Sequence, residues 1–508
     1  MLTKDSFSDW LVEQAQAHGD RVAVINIDTG RQLTYREFNE RATRLATGLQ
    51  QDYNVHRGDR VAMLAHNSSD IFETLFACWK LGAIFVPLNW RLSPGEISQL
   101  LDHGEPAVIL ADHAFGIPFK TDIPVIIRKP GEKDCAYEAL IRTHQATVVM
   151  PDMAPDDTHL ILYTSGTTGP PKGVIYTYRM TMHIVMNANR HGNISQNTRT
   201  LTYLPLFHTA GLNGCALPVF FYGGQLLIMQ RWDAQQTLQY LSDPGLGITH
   251  CIGVPTNYIM MAELPEFADI EFPALKYLGI GSAPVPIGLL ETWEAKGVDL
   301  VQSYGMTEAF CVSLTPPDQA REKLGSAGQA LTEIEIRIGD DLGNQVPVGE
   351  TGEVQLRGPG VTPGYWKEPE LTASAFIDDW FRTGDAARIE ADGTLYIVDR
   401  FKDMWISGGE NVYPSEVEDV ISRFPEVQQV AIISIPDPKW GETGLALIVL
   451  RDGYNLTPDE IRGRCRAELA AYKTPGKIEF VDSLPLSPQG KVLKRALRQQ
   501  YNTGKKNV

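Results

Sequence analysis

The sequence predicts an α/β protein made of a large N-terminal domain and, over its final hundred residues, a smaller α+β C-terminal domain. Three observations lead there. A chain of 508 residues exceeds what one hydrophobic core can serve, so two or more domains are expected. The N-terminal third alternates strand and helix patterns at the spacing of right-handed crossovers, which build a parallel sheet. The C-terminal stretch reads differently, as short strands mixed with two capped helices.

In chain order, Thr34-Tyr35-Arg36-Glu37 is a capping box that opens an amphipathic helix running toward Leu49. Residues 60–64 read as a strand, 69–80 as a helix stopped by Gly82, and 83–86 as a second strand. Ser93-Pro94-Gly95-Glu96 caps another helix, with proline in its first turn, before a strand at 108–110. His66 and His103 fall on loops or helix ends, and no chemistry is assigned to this third.

An apolar run at 160–162 reads as a short buried strand. It leads into Tyr163-Thr164-Ser165-Gly166-Thr167-Thr168-Gly169-Pro170-Pro171-Lys172-Gly173-Val174. Glycines let the backbone approach a ligand, the hydroxyls supply donors, and Lys172 adds a mobile cation. That combination suits a polyphosphate. The P-loop pattern G-x-x-x-x-G-K-[ST] fails here, because Lys172 follows Pro171 and Gly173 stands where Ser or Thr belongs. The stretch resembles the signature loop of the adenylate-forming superfamily: acyl-CoA synthetases, 4-coumarate-CoA ligases, firefly luciferase and peptide-synthetase adenylation domains.

The resemblance extends along essentially the whole chain, in the family's order. Leu204-Pro205-Leu206-Phe207-His208 is similar to a segment whose aromatic or histidine residue borders the acyl pocket, which implicates His208, Gly211 and Leu212. Thr256, Asn257, Gly279, Met306 and Ala309 complete the implied substrate pocket. A strand entering the loop of Gly281, Ser282 and Ala283 resembles the adenine-side wall. The next strand, 300–303, ends at Ser303 and leads into Tyr304-Gly305-Met306-Thr307-Glu308. There Tyr304 can stack on a purine, Thr307 can donate to a phosphate, and Glu308 offers a hard oxygen for Mg²⁺, with Thr164 as the second implied ligand.

Residues 349–400 are β-rich, and their Thr383-Gly384-Asp385 resembles the motif that implies a ribose-binding role for Asp385. Arg400 is implied to reach ribose or phosphate, and Lys402 to be the hinge of a mobile C-terminal domain, which divides the chain into 1–401 and 402–508. In that domain Gly408 and Gly409 are implied to flank the thiol arm of CoA, and Ser415-Glu416-Val417-Glu418 reads as a capping box. Strands are expected at 430–434, 445–450 and 477–481, with a helix capped by Thr457 between them. Pro485-Leu486-Ser487-Pro488-Gln489-Gly490-Lys491 matches the family's mobile lysine loop, and 494–506 reads as a solvated tail.

The implied activity is an ATP-dependent acid–CoA ligase that makes a thioester through an acyl-AMP intermediate, using ATP, Mg²⁺ and CoA. Lys491, Glu308, Thr164 and Lys172 are its implied catalytic residues. The run from Ser407 to Pro414 resembles bacterial fatty-acyl- and feruloyl-CoA synthetases equally. The pocket candidates are small or apolar, which points to a hydrophobic monocarboxylate, fatty or aryl. Two alternatives stand beside this reading. One is an adenylating enzyme that loads a carrier-protein phosphopantetheine, and the other is a nucleotide-binding homologue without catalysis.

A net charge of −17 argues against nucleic-acid binding. The N-terminal residues lack the apolar core of a signal peptide, no run is long enough to span a membrane, and the six cysteines form no paired spacing. A cytoplasmic enzyme is expected. Its oligomeric state is open, a homodimer included.

Overall fold

The computed structural model describes all residues except 1–6, 117–120, 165–171, 284, 316–318, 320–321, 324, 341, 401–402, 408–409, 438–440, 488–490 and 502–508. Four sheets organise the chain. A six-stranded sheet runs in the order Val125–Arg128, Val108–Asp112, Arg60–Leu64, Ile84–Leu88, Thr158–Thr164, Lys172–Thr177. It is parallel until its last pair, which is antiparallel and faces Thr164 with Lys172. The phosphate-type loop is therefore the connection of a β-hairpin.

A nine-stranded sheet packs the second αβ layer. Its six inner strands are parallel, and the strand Leu300–Met306 pairs antiparallel with Phe310–Leu314 at one side. An antiparallel sheet of five strands follows, from Glu335–Gly339 to Leu395–Arg400. The fourth sheet belongs to the small C-terminal domain and joins Trp405–Ser407, Glu410–Val412, Val427–Asp437, Gly441–Leu450 and Lys477–Phe480.

Local sequence explains several boundaries. Glu37 N–H donates to Thr34 Oγ1 at 3.2 Å and Thr34 N–H to Glu37 Oε2 at 2.8 Å, so the helix Tyr35–Tyr53 opens with the expected box. The same reciprocal pairs open Pro94–Gly104 and Pro458–Glu468. Gly82, at φ 65°, ends the helix Ser69–Leu81 in the left-handed conformation that a glycine C-cap adopts.

The N-terminal layer holds a buried ionic network that its hydrophobic pattern conceals. Arg128 is 1% exposed and its guanidinium meets Asp112, Asp70 and the Ser68 hydroxyl. Arg31 joins Asp70 at 2.6 Å to Glu73 at 3.0 Å, and Arg41 and the Tyr137 hydroxyl also reach Glu73.

Two C-terminal expectations are corrected. The helix Pro414–Ser422 has Tyr413 at its N-cap and no side-chain cap, so Ser415 is not a capping residue. Instead Ser415 N–H donates to Asp399 Oδ2 at 2.8 Å, and its hydroxyl donates to the Val398 carbonyl. Pro414 needs no partner for its missing N–H, and the neighbouring orphan donor is served by a carboxylate from another strand. Glu418, the expected second half of the box, is half-buried and pairs with Lys494 Nζ at 2.7 Å. The segment read as a solvated tail forms the helix Lys494–Tyr501, held by that pair and by Arg498 on Asp403. Residues 502–506 lie outside the described residues.

Candidate active site

The strand expected to stop at Ser303 continues to Met306 and turns back, with Met306 facing Phe310. Gly305 permits this close return, since a Cβ there would lie 1.5 Å from the Phe310 carbonyl oxygen. The turn carries Thr307 and Glu308 into a cavity of about 2630 Å³. That is more than a small-molecule site needs, and residues of both domains line it.

Hydrogen bonds from neighbouring elements hold the loop. The Tyr176 hydroxyl donates to the Thr307 carbonyl, Thr362 N–H donates to the Glu308 carbonyl at 2.7 Å, and the Tyr365 hydroxyl donates to Glu308 Oε1 at 2.9 Å. Burial, with the Glu308 charge added to it, pushes the Tyr365 phenol well up, so it remains a donor. Lys172 Nζ stands 5.3 Å from the centre of the Tyr365 ring, which ties the phosphate-type hairpin to the acidic loop. Thr164 and Lys172 line the same cavity, while Ser165, Gly166, Thr167, Thr168 and Gly169 lie outside the described residues.

Another part of the cavity wall contains Gly281, Ser282, Ala283 and Ser303. A Cβ at Gly281 would lie 2.7 Å from both the carbonyl oxygen and the hydroxyl of Ser303, so the glycine lets these two strand ends meet closely. Asp385 is 4% exposed and accepts from the Tyr304 hydroxyl at 2.7 Å, which fixes the ring and the carboxylate as one unit. The strand of Arg400 sets that residue opposite Asp385. Lys402, Gly408 and Gly409 lie outside the described residues.

Lys491 lines this cavity from the C-terminal domain, beside His208. Its loop is pinned by Ser487 N–H on the Lys491 carbonyl at 2.6 Å and by Lys491 N–H on the Ser487 hydroxyl at 3.1 Å. Burial lowers the His208 imidazole to about 3, and the charges of Lys491 and Arg91 add to the effect. Its Nε2 is buried with no hydrogen-bond partner among the described residues. His208 is therefore neutral at any ordinary assay pH. An acid limb of activity near pH 6.5, the ordinary histidine value, should not come from it. Accordingly His208→Gln should leave the shape of the rate–pH profile unchanged from about pH 5.5 to 8, as measured by pyrophosphate release.

Some expected pocket residues have other work. Leu212 is fully buried in the core and Ala309 is 1% exposed, so neither lines the cavity. Gly211 sits where a Cβ would lie 2.7 Å from the Pro205 carbonyl oxygen, which makes it a packing glycine in the π-helix Ala210–Ala216. Asn257 accepts from Val254 N–H at 3.1 Å as a helix cap and lines a second cavity, of about 420 Å³. Thr256 touches both cavities, while Gly279 and Met306 line the main one.

That second cavity holds side chains to which the sequence reading assigned no role. Arg91 lies 4.4 Å and Arg231 5.9 Å from the Trp90 ring, and both line the cavity together with Leu486 and Ser487 of the Lys491 loop. Arg231 Nη2 donates to His66 Nε2 at 3.1 Å, and the His66 ring stacks on Phe115 and lies tilted against Trp90. Among the described residues neither arginine has a carboxylate partner. Burial and the neighbouring Arg231 charge lower Arg91 from its ordinary value, as expected of two cations waiting for an anion. The pairs Trp90-Arg91 and Arg231-Trp232 were the available signal, but they are far apart in the chain.

Residues 11–366 match the AMP-binding enzyme family model and residues 416–491 the AMP-binding enzyme C-terminal domain, so the chain belongs to this adenylate-forming family. It is 37% identical over 505 residues to a feruloyl-CoA synthase of Amycolatopsis sp, covering 98% of this chain and all of that one. It is 36% identical over 502 residues to the long-chain-fatty-acid–CoA ligase FadD13 of Mycobacterium tuberculosis, covering 97% and 98%. Among solved structures, ATP-bound MatB from Rhodopseudomonas palustris matches with a TM-score of 0.89 at 28% identity, covering 98% of this chain and 99% of that one.

Proposed function

We propose that this protein is an AMP-forming acid–CoA ligase whose substrate is a hydrophobic monocarboxylate. One observation carries the reading: Lys491 from the small domain enters the cavity that also presents Glu308, Thr307, Asp385 and His208. The relatives named for feruloyl-CoA and fatty-acyl-CoA synthesis support the thioester product.

A carboxylate does not react with a thiol in water, because oxide would have to leave. In the first half-reaction a substrate carboxylate oxygen attacks the α-phosphorus of ATP, an acyl–O–P bond forms, and pyrophosphate leaves. Most of the catalysis is positioning and charge neutralisation. Tyr304 and Asp385 hold base and ribose, Thr164 and Lys172 meet the outer phosphates, and Lys491 lies against the oxygens where charge builds. The hard oxygens of Glu308 and Thr164 line one cavity, a donor set that suits Mg²⁺ shared with nucleotide phosphates. Bound there, Mg²⁺ would supply charge neutralisation.

In the second half-reaction the CoA sulfur attacks the acyl carbon, the C–O bond breaks and AMP departs. Neutral His208 borders the acyl group without adding charge. The small domain turns about Lys402 between the two steps, withdrawing Lys491 and presenting the Gly408-Gly409 face. The Arg91–Arg231 pair on Trp90 suits the nucleotide phosphates of CoA. Arg231→Ala should raise the KM for CoA by about tenfold or more, the loss of one charge-assisted contact, and leave the KM for ATP unchanged. We place the enzyme in the cytoplasm, where ATP and CoA meet.

The test is acyl-CoA formation by mass spectrometry with ATP, Mg²⁺, CoA and a panel from acetate through long-chain acids to benzoate and ferulate. A thioester with equal AMP is expected. AMP and pyrophosphate without a thioester would move the acceptor to a carrier protein, and no AMP with any acid would sink the reading.

A further inference from the structure

Phe310 stands at φ 50°, a left-handed conformation that favours glycine and is uncommon for a bulky aromatic residue. The hairpin demands it: the loop between Met306 and Phe310 is three residues long, and such loops close on a left-handed residue that is ordinarily glycine. A side chain kept at a strained position beside a reactive loop invites a functional reading. The ring points away from the loop onto the π-helix, where a Cβ at Gly214 would lie 2.6 Å from Phe310 Cζ and 3.6 Å from Ile252 Cδ1. It packs against the core cluster that contains Ile184, Leu212 and Ala216.

Phe310, Gly214 and Ile252 all line the main cavity, which is also bounded by the apolar side chains of Ile184, Ala188, Ile194 and Leu331. These four are not part of any nucleotide motif. The ring thus reaches from the loop that bears Glu308 to the wall of an apolar space.

We propose that Phe310 is a specificity-determining residue that sets the depth of the acyl site, so that the enzyme takes a compact acid, an aryl acid first, and turns away long straight chains. This rests on the reading above, in which the cavity receives an acyl group. A flat ring can pack edge-to-face or offset on Phe310, whereas a long chain would have to displace it. Gly214 makes room for the ring and so belongs to the same device.

The test is Phe310→Gly, a substitution that the local backbone favours, so loss of the fold does not confound it. Wild type and variant are assayed for acyl-CoA across benzoate, cinnamate, ferulate and straight-chain acids of increasing length, with KM for ATP and CoA as controls. Wild type should favour the aryl acids. The variant should gain about tenfold or more in kcat/KM toward acids longer than the wild-type optimum and lose aryl preference, with both control KM values unchanged. Two results overturn the proposal: the same acid profile in both proteins, or a wild-type optimum at long straight chains. A wild type that makes no thioester from any acid would instead overturn the ligase reading on which the proposal rests.

Discussion

Lys491→Ala should lower the rate of pyrophosphate release by about a hundredfold to a thousandfold, because it removes one charged donor from the point where negative charge develops. The thiol step, started from supplied acyl-adenylate and CoA, should be nearly unaffected. The asymmetry is the informative part. In the present arrangement Lys491 shares a cavity with His208 and the Glu308 loop, and Ser487 backbone and hydroxyl contacts help to hold its own loop. A side chain carried on such a loop, in the smaller domain, can serve one half-reaction and be absent from the other. Single-turnover measurements of both steps on the folded variant check this. Equal loss in both steps would contradict domain alternation.

The second large effect concerns stability. Arg128→Ala should destabilise the N-terminal layer by about 3–5 kcal/mol, since it leaves two buried carboxylates, Asp70 and Asp112, without their principal cation. Denaturant unfolding of the variant against wild type measures it.

The same network gives stability a pH dependence with a definite sign. Burial pushes the Asp70 carboxyl up, but Arg128 and Arg31 outweigh it and hold it below the usual carboxylate range. A depressed folded value means that Asp70 contributes stability above the unfolded value of about 3.9. That contribution is lost as pH falls through the lower, folded value. Acid unfolding of wild type should therefore steepen below about pH 4, and Arg128→Ala should remove much of that steepness.

What the sequence made legible was local. The boxes at Thr34, Ser93 and Thr457 were readable because cap and partner stand three residues apart, and the helix stop at Gly82 because glycine adopts a left-handed C-cap most readily. The hydroxyl- and glycine-rich loop was readable by chemistry, although its hairpin setting was not, since the strand Lys172–Thr177 carries no alternation of its own.

Partners distant in the chain were not legible. Asp399 serving the helix of Ser415, Glu418 pairing with Lys494, and Arg91 meeting Arg231 on Trp90 each join residues that only the fold brings together. Phe310 was missed for another reason. Its importance lies in a backbone angle, and the turn that imposes the angle was read as a strand end. Gly211, Leu212 and Ala309 were placed in the pocket by their neighbours in sequence, whereas packing turned them inward.

The central claim is that an acyl-adenylate links the carboxylate to CoA, and isotope transfer tests it most directly. With a carboxylate carrying ¹⁸O in both oxygens, ATP, Mg²⁺ and CoA, the AMP released should contain one ¹⁸O, because the oxygen that attacked the α-phosphorus stays with it when the thiol takes the acyl carbon. AMP free of label, with ¹⁸O appearing instead in released phosphate, would contradict the account.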